Sequence, residues 1–301
     1  MRHRPRSRIR SSAAALLVPG LVAWGGGCGV EGGEGSTDPP ELVVSAASDL
    51  RFAFPEIAEA FHDQTGTRVT FNFGSTGNLA RQIERGAPVD VFAAADPAFV
   101  DPLMEGGQLD PATRGLYAEG FLVVLLADEA ASDPGVTVDE VGDLADPRVG
   151  RIAVANPEHA PYGRAAREAL VSAGIWEEIQ GRVVLAGDVS QALEYVRTGN
   201  VGAGLVALSL VSDGPAASGG HLRVPSHLHA PIEQVLGVSA GSRRPEEARA
   251  FADFVLGPTG RSILERYGFR VPEPPSADGS ASGEGSAAEQ GPASGRAEGS
   301  P

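Results

Sequence analysis

Small hydroxyl residues lie at two points where a predicted strand ends and a helical pattern begins. Residues 74–77 read Gly-Ser-Thr-Gly ahead of one helix, and Ser48 follows the apolar strand pattern at residues 42–47. Unpaired N–H groups and the helix dipole make such an entrance favourable for an anion, and a hydroxyl adds an uncharged donor. Ligands of parallel sheets bind where the carboxyl ends of strands meet, so the two turns together indicate an anion site. An ordinary helix cap has the same composition and is the alternative.

The charge of the chain restricts what could bind there. Its 301 residues carry a formal charge of −15 and include no lysine. A nucleic-acid partner is not expected without a basic patch, and a Walker A phosphate loop is excluded because it requires a lysine. An anion would have to bind against a negative long-range field, which favours a closed site built from short-range hydrogen bonds.

The N-terminal 28 residues have the pattern of a secretory signal. Five arginines within residues 2–10 precede a short apolar stretch at residues 13–24, and three glycines precede Cys28. Small residues before a lone cysteine resemble a bacterial lipoprotein processing site, so we expect lipidation at Cys28, with a plain cleaved signal as the alternative. Residues 29–40 would form a flexible linker, and the lipid would be the chain's one membrane contact, in the periplasm or cell envelope.

Strands and helices alternate between residues 41 and 272, which predicts an α/β fold with mainly parallel sheets. Two consecutive α/β sets and a return strand at residues 232–239 indicate two lobes joined by two crossings, with a ligand in the cleft between them. Lobe 1 is predicted at residues 41–122 and 229–272, and lobe 2 at residues 123–228. Residues 273–301 are rich in Pro, Ser, Gly, Ala and Glu, and predict a disordered acidic tail.

Five stretches resemble the periplasmic molybdate-binding proteins of ABC importers, which have the type II solute-binding fold. In order they are AASDL at residues 46–50, GSTGNLARQIERGAPVDVFAAAD at 74–96, NPEHAPYGRAAREAL at 156–170, GDVSQALEYVRTGN at 187–200 and RYGF at 266–269. The resemblance implies two α/β lobes that close on the oxyanion. It also implies a non-enzymatic receptor without a cofactor, which takes up molybdate or tungstate outside the cytoplasmic membrane and delivers it to an ABC transporter permease.

The same resemblance implies a set of ligand-binding residues. They are Ser48, Ser75, Thr76, Tyr162 and Val189. Ser48 and Thr76 match the two ligand hydroxyls of the family, Ser75 is a weaker candidate beside Thr76, and Val189 would offer a backbone N–H at a helix start. The chain departs from the family at Ala207, where many members have a ligand tyrosine. Tyr162, in the turn formed by residues 161–163, could supply the missing phenol from the other side of the pocket.

The donor set fits a tetrahedral dianion that carries no proton, because such an ion needs hydrogen-bond donors alone. A cavity lined by donors alone would leave the proton of hydrogen phosphate unpaired, and sulfate would have to be rejected by size. A receptor for sulfate or phosphate is one alternative, and a secreted serine hydrolase using Ser48 or Ser75 is another. His221, His227 and His229 lack a supporting carboxylate pattern, so molybdenum is expected only as bound oxyanion, without direct protein ligands.

Overall fold

Ten strands and nine α-helices make up the regular structure of the residues that the computed structural model describes, which are 41–132, 135–212 and 220–273. The strands are β1 (Glu41–Ala47), β2 (Arg68–Gly74), β3 (Val91–Ala94), β4 (Gly115–Gly120), β5 (Leu122–Leu126), β6 (Ile152–Ala155), β7 (Val183–Ala186), β8 (Ala203–Ala207), β9 (His221–Arg223) and β10 (Ile232–Val238). The helices are α1 (Ala53–Thr65), α2 (Thr76–Glu84), α3 (Asp101–Glu105), α4 (Asp128–Ser132), α5 (Pro161–Ser172), α6 (Trp176–Ile179), α7 (Val189–Arg197), α8 (Pro245–Leu256) and α9 (Pro258–Arg266). Short 3-10 turns connect several of them.

The strands form two five-stranded sheets of matching topology. The first has the order β2-β1-β3-β10-β4 and the second β7-β6-β8-β5-β9. In each sheet three neighbouring strands pair in parallel, and one strand, β10 or β5, pairs antiparallel with both of its neighbours. Four of the five strands therefore run in one direction, and the predicted α/β fold with two mainly parallel sheets is confirmed.

Burial follows from the helices that cover the sheets. All four residues of β3 and all four of β6 are buried, as expected for parallel strands with both faces covered. The apolar stripe of α1 meets α8 at the back of the first sheet, where the rings of Phe61 and Phe251 pack edge to face with centroids 5.3 Å apart. We call the first sheet with α1, α2, α3, α8 and α9 the first lobe, and the second sheet with α5, α6 and α7 the second lobe.

The two lobes are connected twice and belong to a single compact unit. The chain crosses between Gly120 and Leu122 and returns between Arg223 and Ile232. Among the described residues, no helix has the length and apolar character needed to cross a membrane. The predicted signal with Cys28, the linker at residues 29–40 and tail residues 274–301 lie outside the described residues.

Candidate functional site

The first lobe presents its hydroxyls at the ends of two neighbouring strands. β1 and β2 pair in parallel with Ala47 opposite Gly74, so the turns that follow them start side by side. Ser48 begins a 3-10 turn and Ser75 is the N-cap residue of α2. The Ser75 side chain makes no capping hydrogen bond, so the ordinary cap function does not account for its hydroxyl.

The second lobe brings two helix starts to the same place. α5 begins at Pro161 and α7 at Val189, and their N-termini face the turns of the first lobe across a small cavity. The cavity is lined by Ala47, Ser48, Asp49, Gly74, Ser75, Thr76, Ala95, Ala160, Pro161, Tyr162, Asp188 and Val189. All five residues that the sequence singled out for binding thus lie around one cavity. Ala207, at the end of β8, is buried but is not among these lining residues.

Most of the hydroxyls that line the cavity keep a hydrogen available for a ligand. The Thr76 hydroxyl accepts a hydrogen bond from the Ala95 N–H at 3.2 Å, and the Ser48 hydroxyl accepts a long one from the Ser190 N–H at 3.5 Å. The Ser75 hydroxyl lies 2.8 Å from Nδ1 of His159, with roles set by the imidazole tautomer. An oxygen that accepts from the protein can donate its own hydrogen to an anion.

Direct contacts hold the two lobes closed around the cavity. The Ser190 hydroxyl donates to the Ser48 carbonyl at 2.7 Å, and the Gly77 N–H donates to the His159 carbonyl at 2.9 Å. Arg164 of α5 forms an ion pair with Asp96 of the first lobe. A Cβ on Gly77 would lie 2.9 Å from the His159 carbonyl oxygen, so glycine permits this approach.

Two carboxyls line the cavity, so the expectation of a lining of donors alone is wrong. Asp188 is the N-cap residue of α7, and its side chain accepts from the Gln191 N–H at 3.0 Å. Asp49 is 1% exposed, and its Oδ2 accepts from Nε2 of Gln234 at 2.9 Å. Asp49 directly follows Ser48 in the AASDL stretch, so sequence could have placed it near the site, but only the fold shows that its side chain turns inwards.

Burial is the main reason that the pKa of Asp49 is raised to about 7. The adjacent Tyr162 hydroxyl opposes the shift most, the Asp49 backbone N–H and Gln234 oppose it further, and the charge of Asp188 adds to it. Burial likewise raises the pKa of Tyr162, which keeps its hydroxyl protonated. The cavity therefore has beside it one acid whose raised pKa favours the neutral form compared with an ordinary aspartate, and one phenol that can donate.

Tyr162 reaches from the second lobe into the first. Its hydroxyl is buried and has no hydrogen-bond partner within the described part of the chain. It packs against the backbone of β4, where a Cβ on Gly120 would lie 2.0 Å from the hydroxyl oxygen. Gly120 therefore makes the space that this phenol occupies.

The three histidines that were considered for a metal site do not form one. Across residues 41–132, 135–212 and 220–273, no group of three or more His, Cys, Asp or Glu side chains is placed to hold a metal ion. His221 lies in β9, and Nδ1 of His229 is 2.7 Å from the Ala230 carbonyl oxygen.

Comparison with known proteins gives matches that cover most of the chain. The chain matches the family described as bacterial extracellular solute-binding protein over residues 42–270. It is 34% identical to the molybdate-binding protein ModA of Azotobacter vinelandii over 230 residues, 76% of this chain and 89% of the relative. It is 34% identical to ModA of Escherichia coli K12 over 242 residues, 79% and 92% of the two chains. The solved structure of the Azotobacter vinelandii periplasmic molybdate-binding protein superposes with a TM-score of 0.72 at 32% identity, covering 77% of this chain and 100% of that one.

Proposed function

The chain belongs to the bacterial extracellular solute-binding protein family, and we propose that it captures molybdate or tungstate and delivers it to an ABC importer. The observation that carries this proposal is the cavity itself, where hydroxyls of the first lobe face two helix N-termini of the second. None of the described residues that line it is basic. A bound dianion would be compensated by hydrogen bonds and helix dipoles, which suit a fully ionised oxyanion.

The cavity between the lobes is much smaller than the grooves elsewhere on the described surface, as expected of a site that has closed. The cavity measures about 10 Å³, whereas three open grooves elsewhere on the described surface measure about 250, 320 and 330 Å³. Ser75 and His159 are close enough to form a nucleophile and base, as a hydrolase would require. No basic residue is among the described residues that line this cavity, and the family is one of solute-binding proteins, so we propose a binding protein without catalytic activity or a cofactor.

Capture follows from the division of the donors between the lobes. We assign Ser48, Ser75 and Thr76 of the first lobe and Tyr162 and Val189 of the second to the oxyanion. An ion held by both groups binds the closed state better than the open one, so it shifts the population towards closure. The closed form would be the one that an ABC permease recognises outside the cytoplasmic membrane, with a lipid at Cys28 as the tether.

A thermal-shift panel of sodium molybdate, tungstate, sulfate and phosphate tests the choice of ion. Molybdate and tungstate should raise the Tm, because a ligand that binds only the folded protein at a hundred times its Kd adds about 2.7 kcal/mol of stability. Sulfate and phosphate at the same concentration should leave the Tm within error of the ion-free protein. Stabilisation by sulfate without molybdate would overturn the assignment.

Phosphate is a second candidate ligand because of one observation, the carboxyl of Asp49 in the lining. An ionised carboxylate could accept the proton of hydrogen phosphate, which a site made only of donors could not do. The same panel separates the two, since a phosphate receptor would be stabilised by phosphate and left unchanged by molybdate.

Replacing Tyr162 by phenylalanine tests the role of its hydroxyl. Since this hydroxyl borders the cavity without a protein partner, we expect Y162F to weaken molybdate binding by about tenfold or more, the value of one hydrogen bond to a charged group. Isothermal titration calorimetry measures the change. Tyr195→Phe on α7, a tyrosine that does not line the cavity, is the matched control and should bind as the parent does. Unchanged affinity in Y162F would remove Tyr162 from the site.

A further inference from the structure

Four polar side chains form a buried cluster beside the cavity that the capture function does not explain. They are Asp49, Tyr117, Tyr162 and Gln234, which we call the Asp49 cluster. Gln234, fully buried in β10, connects its members. Its Nε2 donates to Oδ2 of Asp49 at 2.9 Å, and its Oε1 accepts from the Tyr117 hydroxyl at 3.2 Å. Within the cluster, Oδ2 of Asp49 therefore has a hydrogen-bond partner in Gln234, whereas Oδ1 has none.

Two atoms of the Asp49 cluster lack a hydrogen-bond partner among the described residues. They are Oδ1 of Asp49 and the hydroxyl oxygen of Tyr162, both buried and contributed by opposite lobes. The Tyr162 hydroxyl is close enough to the carboxyl to lower the pKa of Asp49, yet neither this hydroxyl nor Oδ1 has a partner that meets the geometry of a hydrogen bond among the described residues. Unpaired buried polar atoms are costly, and a proton on the carboxyl would turn Oδ1 from an unpaired acceptor into a donor.

The charges that face Asp49 also favour a neutral carboxyl. Asp188 approaches from the start of α7 with the same sign of charge, while Tyr117 from β4 and Tyr162 from α5 are protonated phenols. The imidazole of His159 contacts Ser75, which also lines the cavity, and burial lowers its pKa. A dianion placed in this cavity would repel an ionised Asp49 in a poorly solvated space, with no basic residue among the described lining residues to offset the repulsion.

We propose, as a consequence of the proposed function, that the cavity takes up its oxyanion together with one proton, which resides on Asp49 as a neutral carboxylic acid. The process forms no covalent bond: one dianion and one proton leave the solvent, and the charge of Asp49 is cancelled. The neutral acid can donate from Oδ1 towards the ion or towards Tyr162. The protonation state of Asp49 would therefore set how tightly the closed site holds an anion.

The direction of the pH dependence follows from linkage. Because the bound ion favours the protonated carboxyl, binding is strongest below the pKa of Asp49 in the ion-free protein and weakens as the pH rises above it. Between the ion-free and the ion-bound pKa, the affinity should fall by up to tenfold per pH unit. Calorimetric titration of the full chain with sodium molybdate from pH 6 to pH 9 measures this, using two buffers of different ionisation enthalpy. The apparent enthalpy should be nearly the same in the two buffers at pH 6, and above about pH 8 it should differ between them by the amount expected for uptake of about one proton.

Two variants identify the group that takes up the proton. Asp49→Asn keeps the shape and the bond to Gln234, and should bind molybdate with no proton uptake and more tightly than the parent at pH 9. His159→Gln should retain the uptake. Loss of the uptake in H159Q with retention in D49N would overturn the proposal.

Titration of the unmodified protein tests proton uptake even if the D49N variant fails to fold. Binding with a flat affinity and a buffer-independent enthalpy from pH 7 to pH 9 would refute proton uptake while leaving the transport function intact. No molybdate binding at any pH would refute the proposed function. In that case the same two-buffer titration, made with whichever ion of the thermal-shift panel stabilises the protein, still tests the proton.

Discussion

Removing two hydroxyls of the first lobe together, in the variant Ser48→Ala with Ser75→Ala, should abolish high-affinity molybdate binding. Hydrogen bonds to a charged group contribute about 1.5–3 kcal/mol each, so two of them correspond to a loss of roughly 10²- to 10⁴-fold in Kd. We expect the upper half of this range. The described lining residues include no basic side chain that could take over the charge.

Isothermal titration calorimetry with sodium molybdate measures the loss, and the single variants show how it divides. Ser45→Ala is the matched control, because Ser45 is a buried serine of β1 that does not line the cavity. It should bind as the parent does. If the double variant bound within threefold of the parent, the hydroxyls would be helix-terminus features only, and the site assignment would be wrong.

The turns that face the ligand can be predicted from the sequence because the patterns that indicate them are local. A strand pattern followed directly by a hydroxyl and a helical pattern predicts a strand end at a helix entrance, and that is how residues 47–50 and 74–84 are built. The neighbouring, parallel placement of β1 and β2 then brings Ser48 and Ser75 together. The ligand-binding role of the second-lobe residues is implied only by the resemblance to a family, because nothing in their local sequence pattern indicates an anion.

Two strands, β4 and β9, give no clear signal in the sequence. β4 reads Gly-Leu-Tyr-Ala-Glu-Gly, and its terminal glycines suggest a loop. Tertiary packing favours both glycines, since a Cβ on Gly120 would lie 2.0 Å from the Tyr162 hydroxyl oxygen and one on Gly115 would displace the end of the Leu256 side chain, 2.8 Å away. β9 has only three residues and gives no periodic signal.

The Asp49 cluster cannot be predicted from the sequence for a different reason. Its hydrogen bonds join residues 185 and 117 positions apart in the chain, and no local pattern reports such a pairing. The contact between Ser75 and His159 spans 84 positions in the same way. Sequence therefore placed the hydroxyls of the site, while the acid that sets its charge and the histidine beside it appear only in the folded structure.

Gly163 of the NPEHAPYG stretch should tolerate no side chain at all. A Cβ at this position would lie 2.0 Å from the carbonyl oxygen of Ala155 and 2.6 Å from its carbon, at the end of β6. Both are backbone atoms of a buried strand, so no change of rotamer can relieve the overlap. α5 would have to move away from the sheet, which overpacking data suggest costs about 3 kcal/mol.

Thermal unfolding of Gly163→Ala should accordingly show a Tm lower by roughly 6–12 °C, given about 2–4 °C per kcal/mol for a body of this size. The displacement of α5 also carries Tyr162 and the His159 loop away from the cavity, so molybdate affinity should fall more than tenfold even well below the Tm. Gly181→Ala is the matched control, because no atom lies within 4 Å of a Cβ there. A G163A protein with the Tm and affinity of G181A would show that α5 does not rest on β6 at this point, and that the second-lobe half of the site is placed by other contacts.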